Sequence, residues 1–188
     1  ELMRFFAHAL NDLGTYVQTN FEGSFSKLIE SAGASAERLV HLLVQLPYFK
    51  DRAVYDGLEV PFFKRAQLMA ADLSLAFNGK GVGQFGDLDH LTIVADNLVP
   101  HVLRVDTILI YNDNLCSRID AGDLIAAGSK KEIDIRAWAL PAVERIQAAL
   151  SASGYAINAM ALDFLLWNRG QQPAYKAIPR HRTRSVFY

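Results

Sequence analysis

Apolar residues recur at helical spacing through almost the whole chain, and this restricts the fold more than any other feature. Leu2, Phe5, Phe6, Ala9, Leu10 and Leu13 stand at i, i+3 and i+4 intervals and form one stripe, on a helix that Gly14 weakens. Asn20 to Ser24 reads as a turn, and Phe25, Leu28 and Ile29 open a second short helix that Gly33 to Ser35 breaks. Leu39, Val40, Leu42, Leu43 and Leu46 form a third, stopped by Pro47. Tyr55 to Pro61 is a non-helical connection with a turn at Asp56-Gly57. Pro61 suits the first turn of a helix over 62–77, which ends at Asn78-Gly79 before a glycine-rich loop, 79–86. Asp87 or Asp89 is expected to cap a helix carrying Leu91, Val94, Ala95, Leu98, Val102 and Leu103, kinked at Pro100. The apolar run 105–111 is short enough to be either a strand or a buried helix. Ser129-Lys-Lys-Glu132 matches a capping box for a long helix bent near Pro141, and a last helix spans about 157–167 before a basic, irregular tail. With no repeat and no convincing strand alternation, residues 1–188 read as one compact all-α domain.

A chain of 188 residues, 51% of them apolar, is long enough for a sizeable core. Its 19 basic and 20 acidic residues leave a net charge of −1, which argues against a long nucleic acid as partner but leaves room for a local anion site. The single cysteine, Cys116, excludes an intrachain disulfide and a multi-thiolate zinc site, and fits the cytoplasm. No apolar run reaches the roughly 20 residues of a membrane span. The opening Glu1-Leu-Met-Arg is neither a signal peptide nor an initiator methionine, so the natural protein is expected to begin further upstream.

Three polar residues stand among apolar neighbours. Asp96 lies in Leu91-Thr-Ile-Val-Ala-Asp-Asn-Leu-Val-Pro100. A carboxylate there is desolvated, and needs either a partner or a function. Its ordinary explanation is a hydrogen bond to a loop. Lys64 opens a helix, where the dipole disfavours a cation, so it points to a specific anionic partner unless it is simply solvated. Asp163 stands in Met160-Ala-Leu-Asp-Phe-Leu-Leu-Trp167. Phe164 and Trp167 flank it, an arrangement suited to stacking and hydrogen-bonding a planar base, although both rings also suit a core. Arg180-His-Arg-Thr-Arg184 is the densest basic run, and guanidinium groups match phosphate geometry. The glycine loop lacks the ending of a P-loop. His8, His41, His90 and His101 show no metal-ligand spacing, and neither a metal nor an organic cofactor is expected.

Several blocks, in order, resemble the queuosine-salvage protein family. They are Val60-Pro-Phe-Phe-Lys-Arg-Ala-Gln67, Ala71-Asp-Leu73, Leu91 to Pro100, Gly128-Ser-Lys-Lys-Glu-Ile-Asp-Ile-Arg-Ala137, Leu162-Asp-Phe-Leu-Leu-Trp167 and His181-Arg-Thr-Arg-Ser-Val-Phe-Tyr188. The resemblance implies an all-α fold like that of helix-hairpin-helix DNA glycosylases. It implies hydrolysis of the N-glycosidic bond of queuosine 5′-monophosphate, with release of queuine for salvage into tRNA. It puts the catalytic carboxylate at Asp96 with Lys64 as companion, and base contacts at Asp163 and Phe164, with Trp167 beside them. The chain departs from the family pattern at Val94, where phenylalanine is frequent, at Asn97, where tyrosine is frequent, and at Asn168, where an acid occurs. These substitutions bear on stacking and hydrogen bonds to the base. Family members also carry an N-terminal portion that helps enclose the base, so a preceding segment or a companion chain is expected.

The chemistry the resemblance implies develops positive charge on the sugar. A carboxylate at Asp96 can stabilise that charge, attack it, or activate water, and the sequence leaves these open. Lys64 would hold the carboxylate ionised. His181, Arg182 or Arg184 would take the 5′-phosphate. The competing functions are a DNA or RNA base glycosylase, and a queuine- or nucleoside-binding protein without catalysis.

Overall fold

The structure is a computed structural model that describes residues 2–188, except for the side chain of Leu2. Glu1 and the expected place of the Leu2 side chain in the first apolar stripe lie outside the described residues. The described chain is mostly helical, with one small two-stranded sheet. Its internal contacts gather into two units. One takes the chain up to Asp51, then Phe63–Leu91 and Phe187; the other takes Arg52–Phe62, Thr92–Val186 and Tyr188.

The first unit holds α1 (Leu2–Asn20), α2 (Phe25–Ser31), α3 (Ala36–Leu43) and α4 (Lys64–Ala76). α1 continues through Gly14, and its apolar stripe is largely exposed, with Val17 its buried anchor. Ser24 and Ser35 cap α2 and α3 by accepting from Lys27 N–H and Arg38 N–H. Asp87 caps no helix of its own. It reaches α3, accepting from Ala36 N–H at 2.6 Å, Glu37 N–H at 3.2 Å and the Ser35 hydroxyl at 2.7 Å. Burial works against that carboxylate's charge, but these bonds outweigh it and hold the carboxyl below its usual range. Ala66, Ala70 and Ala71 of α4 are small and buried, and α4 packs on α3. The glycine loop has a packing role. A Cβ on Gly83 would stand 2.5 Å from the Leu73 carbonyl oxygen and 2.7 Å from Phe77 Cβ, so only glycine lets the loop lie on α4.

In the second unit, Arg52–Tyr55 (β1) and Leu58–Pro61 (β2) form an antiparallel hairpin that pairs Tyr55 with Leu58. Asp56 and Gly57 have φ of +48° and +84°, the two left-handed residues of a tight hairpin turn. The turn at Asp56-Gly57 was legible; the strands were not, because each is only four residues long. Pro61 therefore ends a strand and does not open a helix. After Phe63, at φ +48°, α4 starts at Lys64.

α5 (Val99–Val105), α6 (Asp113–Asp120), α7 (Lys130–Ala152), α8 (Ala159–Gly170) and α9 (Pro173–Lys176) complete this unit. Apart from Val105, which ends α5, the apolar run 105–111 is neither strand nor helix. Thr107 turns left-handed, and the N–H groups of Ile108 and Leu109 fold back on the Leu103 carbonyl, closing α5. Ser129 caps α7 as expected, but Glu132 reaches back to Gly128 N–H at 3.1 Å because Ser129 N–H already donates to Ala126. α7 runs on through Pro141, whose ring removes one internal hydrogen bond. α5, α7 and α8 close over a core that includes Ile93, Val102, Leu103, Ile133, Val143 and Leu162. Gly170 permits the contact of α8 with α5, since a Cβ there would stand 2.8 Å from the Leu98 side chain.

Buried in this unit are Glu132 and Arg136, one turn apart on α7 and 3.3 Å apart. The Arg136 guanidinium stacks 3.8 Å from the Phe62 ring centre and 4.9 Å from that of Tyr188, while the Tyr188 hydroxyl donates to Glu132 at 2.7 Å. Arg136 Nε donates to the Ala95 carbonyl at 2.8 Å. Removing one member of such a buried pair costs about 3–5 kcal/mol. Urea unfolding of Arg136→Met is expected to show a loss of that order. A variant within about 1 kcal/mol of the unsubstituted chain would contradict the anchoring role.

Candidate functional site

Asp96 sits in a stretch, 91–98, that the apolar spacing assigned to a helix and the structure leaves irregular and buried. Backbone groups without helical partners must find others. Side chains from α7 and α8 supply them: Asp163 accepts from Val94 N–H at 3.0 Å, and Arg136 donates to Ala95 C=O. Helix resumes only at Val99, where Pro100 occupies the first turn and so creates no kink. Asp96 Oδ1 accepts from Leu98 N–H at 2.6 Å and from Val99 N–H at 3.4 Å. These bonds fix the carboxylate at the start of α5, where the helix dipole favours negative charge.

The site residues expected from sequence do not all fall in one place. Asp96, Asn97, Trp167, Arg182 and Arg184 line one cleft of the second unit, with a volume of about 1040 Å³. Val94 and Asp163 are joined to each other by their hydrogen bond, and Asp163 is buried. Phe164 and Trp167 are 61% and 43% exposed, so neither ring belongs to the core. Asn168 donates to the Phe164 carbonyl one turn back on α8. Lys64, half-buried, is the first residue of α4 in the first unit.

The basic tail divides by residue. Arg180, Arg182 and Arg184 are exposed and line the cleft, together with Lys176 of α9. The tail's course is set by Ile125 N–H, which donates to Arg182 C=O at 2.8 Å. His181, between two of these arginines, is 2% exposed and packs edge-on to Tyr188. Burial pushes its imidazole down to about 4; the Asp96 charge opposes that shift, and Arg136, His101 and Arg180 add to it. His181 is therefore neutral near pH 7.

Sequence alone did not single out His101, Tyr175 or Lys176 for this site, and it named Arg180 only as part of the basic run. His101 lines the cleft although it is buried, and its Nε2 lies 2.9 Å from the Tyr175 carbonyl. Tyr175 in turn donates to Asp106 at 2.6 Å, and Arg169 forms a two-pronged pair with the same carboxylate. That knot joins α5, α8 and α9. The Glu132/Arg136 spacing of four residues was a usable signal for a helical ion pair. His101 offered none, since a histidine after a proline carries no periodic signature.

One further group departs from expectation. Glu37, Asp87 and His90, in the first unit, bring potential ligand atoms within 4.8 Å of one another. The Asp87 oxygens are occupied by the α3 cap, which accounts for the cluster without an ion.

The neutrality of His181 has a thermodynamic consequence. Its folded value of about 4 lies below the ordinary value near 6.5, so between these limits the unfolded chain binds a proton that the folded chain does not. The stability His181 contributes is present above pH 6.5 and is lost as pH falls toward 4, by about 3 kcal/mol in all. Unfolding free energies measured from pH 7 to 4 are expected to fall less steeply in His181→Gln than in the unsubstituted chain. Parallel curves would contradict a neutral, buried His181.

The family model described as queuosine salvage protein matches residues 2–188. The chain is 42% identical over 183 residues to the queuosine 5′-phosphate N-glycosylase/hydrolase of Sphaerobacter thermophilus, covering 97% of this chain and 57% of that protein. The proteins of the same name from Mus musculus and Dictyostelium discoideum are 34% and 35% identical, each over 95% of this chain and 56% of their own length. The chain thus spans a little over half the length of these curated relatives. With the match running through the cleft, the anchored stretch before α5 and the basic tail, the chain belongs to the queuosine salvage protein family.

Proposed function

We propose that this chain carries out the N-glycosidase chemistry named in its relatives, hydrolysing queuosine 5′-monophosphate and releasing queuine for return to tRNA modification. The observation that carries this is the Asp96 carboxylate, buried, fixed by two backbone N–H groups and lining a cleft walled by arginines. Breaking the bond between base and sugar leaves positive charge at the anomeric carbon. A fixed carboxylate stabilises that charge without having to reorganise, and the same position serves attack on the carbon or activation of water. Lys64 is its catalytic companion on the strength of the family resemblance.

In the same proposal the exposed rings of Phe164 and Trp167 stack on the base, Asp163 recognises its N–H groups, and Val94, Asn97 and Asn168 shape that contact. Arg182 and Arg184 take the 5′-phosphate, as planar guanidinium donors suit it. The net charge of −1 favours a small nucleotide over a polymer. Residues 1–188 act as one catalytic domain in the cytoplasm, with helices arranged as in helix-hairpin-helix DNA glycosylases. The portion that the longer relatives carry beyond the match completes the enclosure of the base.

Asp96→Asn tests the proposal. Asparagine keeps an oxygen for the N–H groups of Leu98 and Val99, so the fold is retained. Queuine release is expected to fall by about 10²–10³-fold or more while nucleotide binding persists. Turnover within a few-fold of the unsubstituted protein would remove Asp96 from the mechanism.

A further inference from the structure

Asp96 stands outside any helix, so no ladder of backbone bonds fixes the direction of its carboxylate. On its C-terminal side the carboxylate itself accepts from Leu98 N–H at 2.6 Å and Val99 N–H at 3.4 Å. On its N-terminal side the hold comes from Arg136, whose Nε donates to the Ala95 carbonyl at 2.8 Å. That carbonyl shares one rigid peptide plane with the Asp96 N–H. Turning the plane is turning about the Asp96 N–Cα bond, and such a turn swings the Asp96 side chain. Arg136 therefore governs the aim of the carboxylate through the backbone, although it does not line the cleft.

The guanidinium is itself held on several sides. It lies 3.8 Å from the Phe62 ring centre and 4.9 Å from that of Tyr188, and Nη1 donates to Glu132 Oε1 at 3.3 Å. The Tyr188 hydroxyl donates to the same Glu132 oxygen at 2.7 Å. A guanidinium is a rigid plane with donors on separate edges, so in this slot it serves Ala95 and Glu132 at once. A lysine has one nitrogen on a flexible stem and cannot place it at both points. The arginines of the tail have anchors of their own. Arg182 C=O accepts from Ile125 N–H at 2.8 Å, and Arg182 Nη1 donates to the Gly122 carbonyl at 3.4 Å. Loss of the Tyr188 hydroxyl therefore loosens the hold on Asp96 while leaving this part of the cleft wall in place.

We propose that Arg136 and Tyr188 are positioning residues for the hydrolysis: Arg136 aims the Asp96 carboxylate through the Ala95–Asp96 peptide, and Tyr188 holds Arg136 in place through Glu132. This rests on the function proposed above and deepens it. Neither residue meets the nucleotide in this reading. Asp96 answers charge that develops only as the glycosidic bond breaks, so an error in its aim weakens the transition state and not the ground state. A misplacement of about 1 Å caused from outside the reacting centre is enough to slow a reaction about 10²-fold.

The test is a split of kcat from KM for queuine release from queuosine 5′-monophosphate, in the chain extended by the portion that its longer relatives carry beyond the match. The variants are Arg136→Lys, which keeps a cation beside Glu132, and Tyr188→Phe, which keeps the ring over Arg136 and removes only the hydroxyl. Each is assayed where circular dichroism shows it fully folded, so that loss of folded protein does not enter the rate. Arg136→Lys is expected to lower kcat by about 10–100-fold with KM within about three-fold of the unsubstituted protein. Tyr188→Phe is expected to lower kcat by several-fold, again with KM nearly unchanged, and it decides the question if Arg136→Lys does not fold. A kcat within about two-fold of the unsubstituted protein in either folded variant would overturn the proposal and leave the function intact. A raised KM with unchanged kcat would also overturn it, since that is the signature of lost ground-state binding. No queuine from the unsubstituted protein would overturn the function, and this proposal with it.

Discussion

The guanidinium of Arg136 is the contact on which the second unit's site depends. It is buried between two aromatic rings, paired with Glu132 and bonded to the Ala95 carbonyl, one residue before Asp96. A charge in such a place is tolerated only when its donors are used and its counter-ion is fixed. The tail's last residue contributes to that fixing, because Tyr188 both stacks on Arg136 and donates to Glu132. The same tail carries the arginines of the cleft. A single network therefore ties the carboxylate-bearing stretch, the long helix and the basic tail of the cleft wall to one another.

That network explains why 91–98 is not helical despite its periodic apolar residues. The stretch is buried from both ends, and Asp163 and Arg136 replace the hydrogen bonds a helix would have supplied. Helical spacing reports which residues face a core, and a buried irregular segment can satisfy the same pattern. Asp96 was singled out correctly as a carboxylate in apolar surroundings, but for a helix it does not belong to. Its fixed position comes from the turn before α5. The other helices were legible where a cap and a breaker framed them, as Ser24, Ser35 and Ser129 do. The hairpin was missed because four-residue strands carry too little alternation, though the Asp-Gly turn between them was in plain view.

Site residues followed the same division. Acids and arginines among apolar or basic neighbours announce themselves, and Asp96, Arg182 and Arg184 line one cleft. Asp163 also announces itself, yet one of its oxygens holds the backbone at Val94. The burial of His101 and His181 gave no local signal, since it comes from partners distant in sequence or in the folded tail, Tyr175 and Tyr188 among them. The unreadable part was the part built by contacts far apart in sequence.

Membership of the queuosine salvage family and the geometry around Asp96 both bear on the proposed release of queuine from its nucleotide. The direct measurement is to incubate the chain, alone and extended by the portion that its longer relatives carry beyond the match, with queuosine 5′-monophosphate and to look for free queuine by mass spectrometry. Release of queuine with ribose 5-phosphate as the second product is the expected result. Folded protein of both lengths that binds or ignores the nucleotide but yields no queuine would contradict the account.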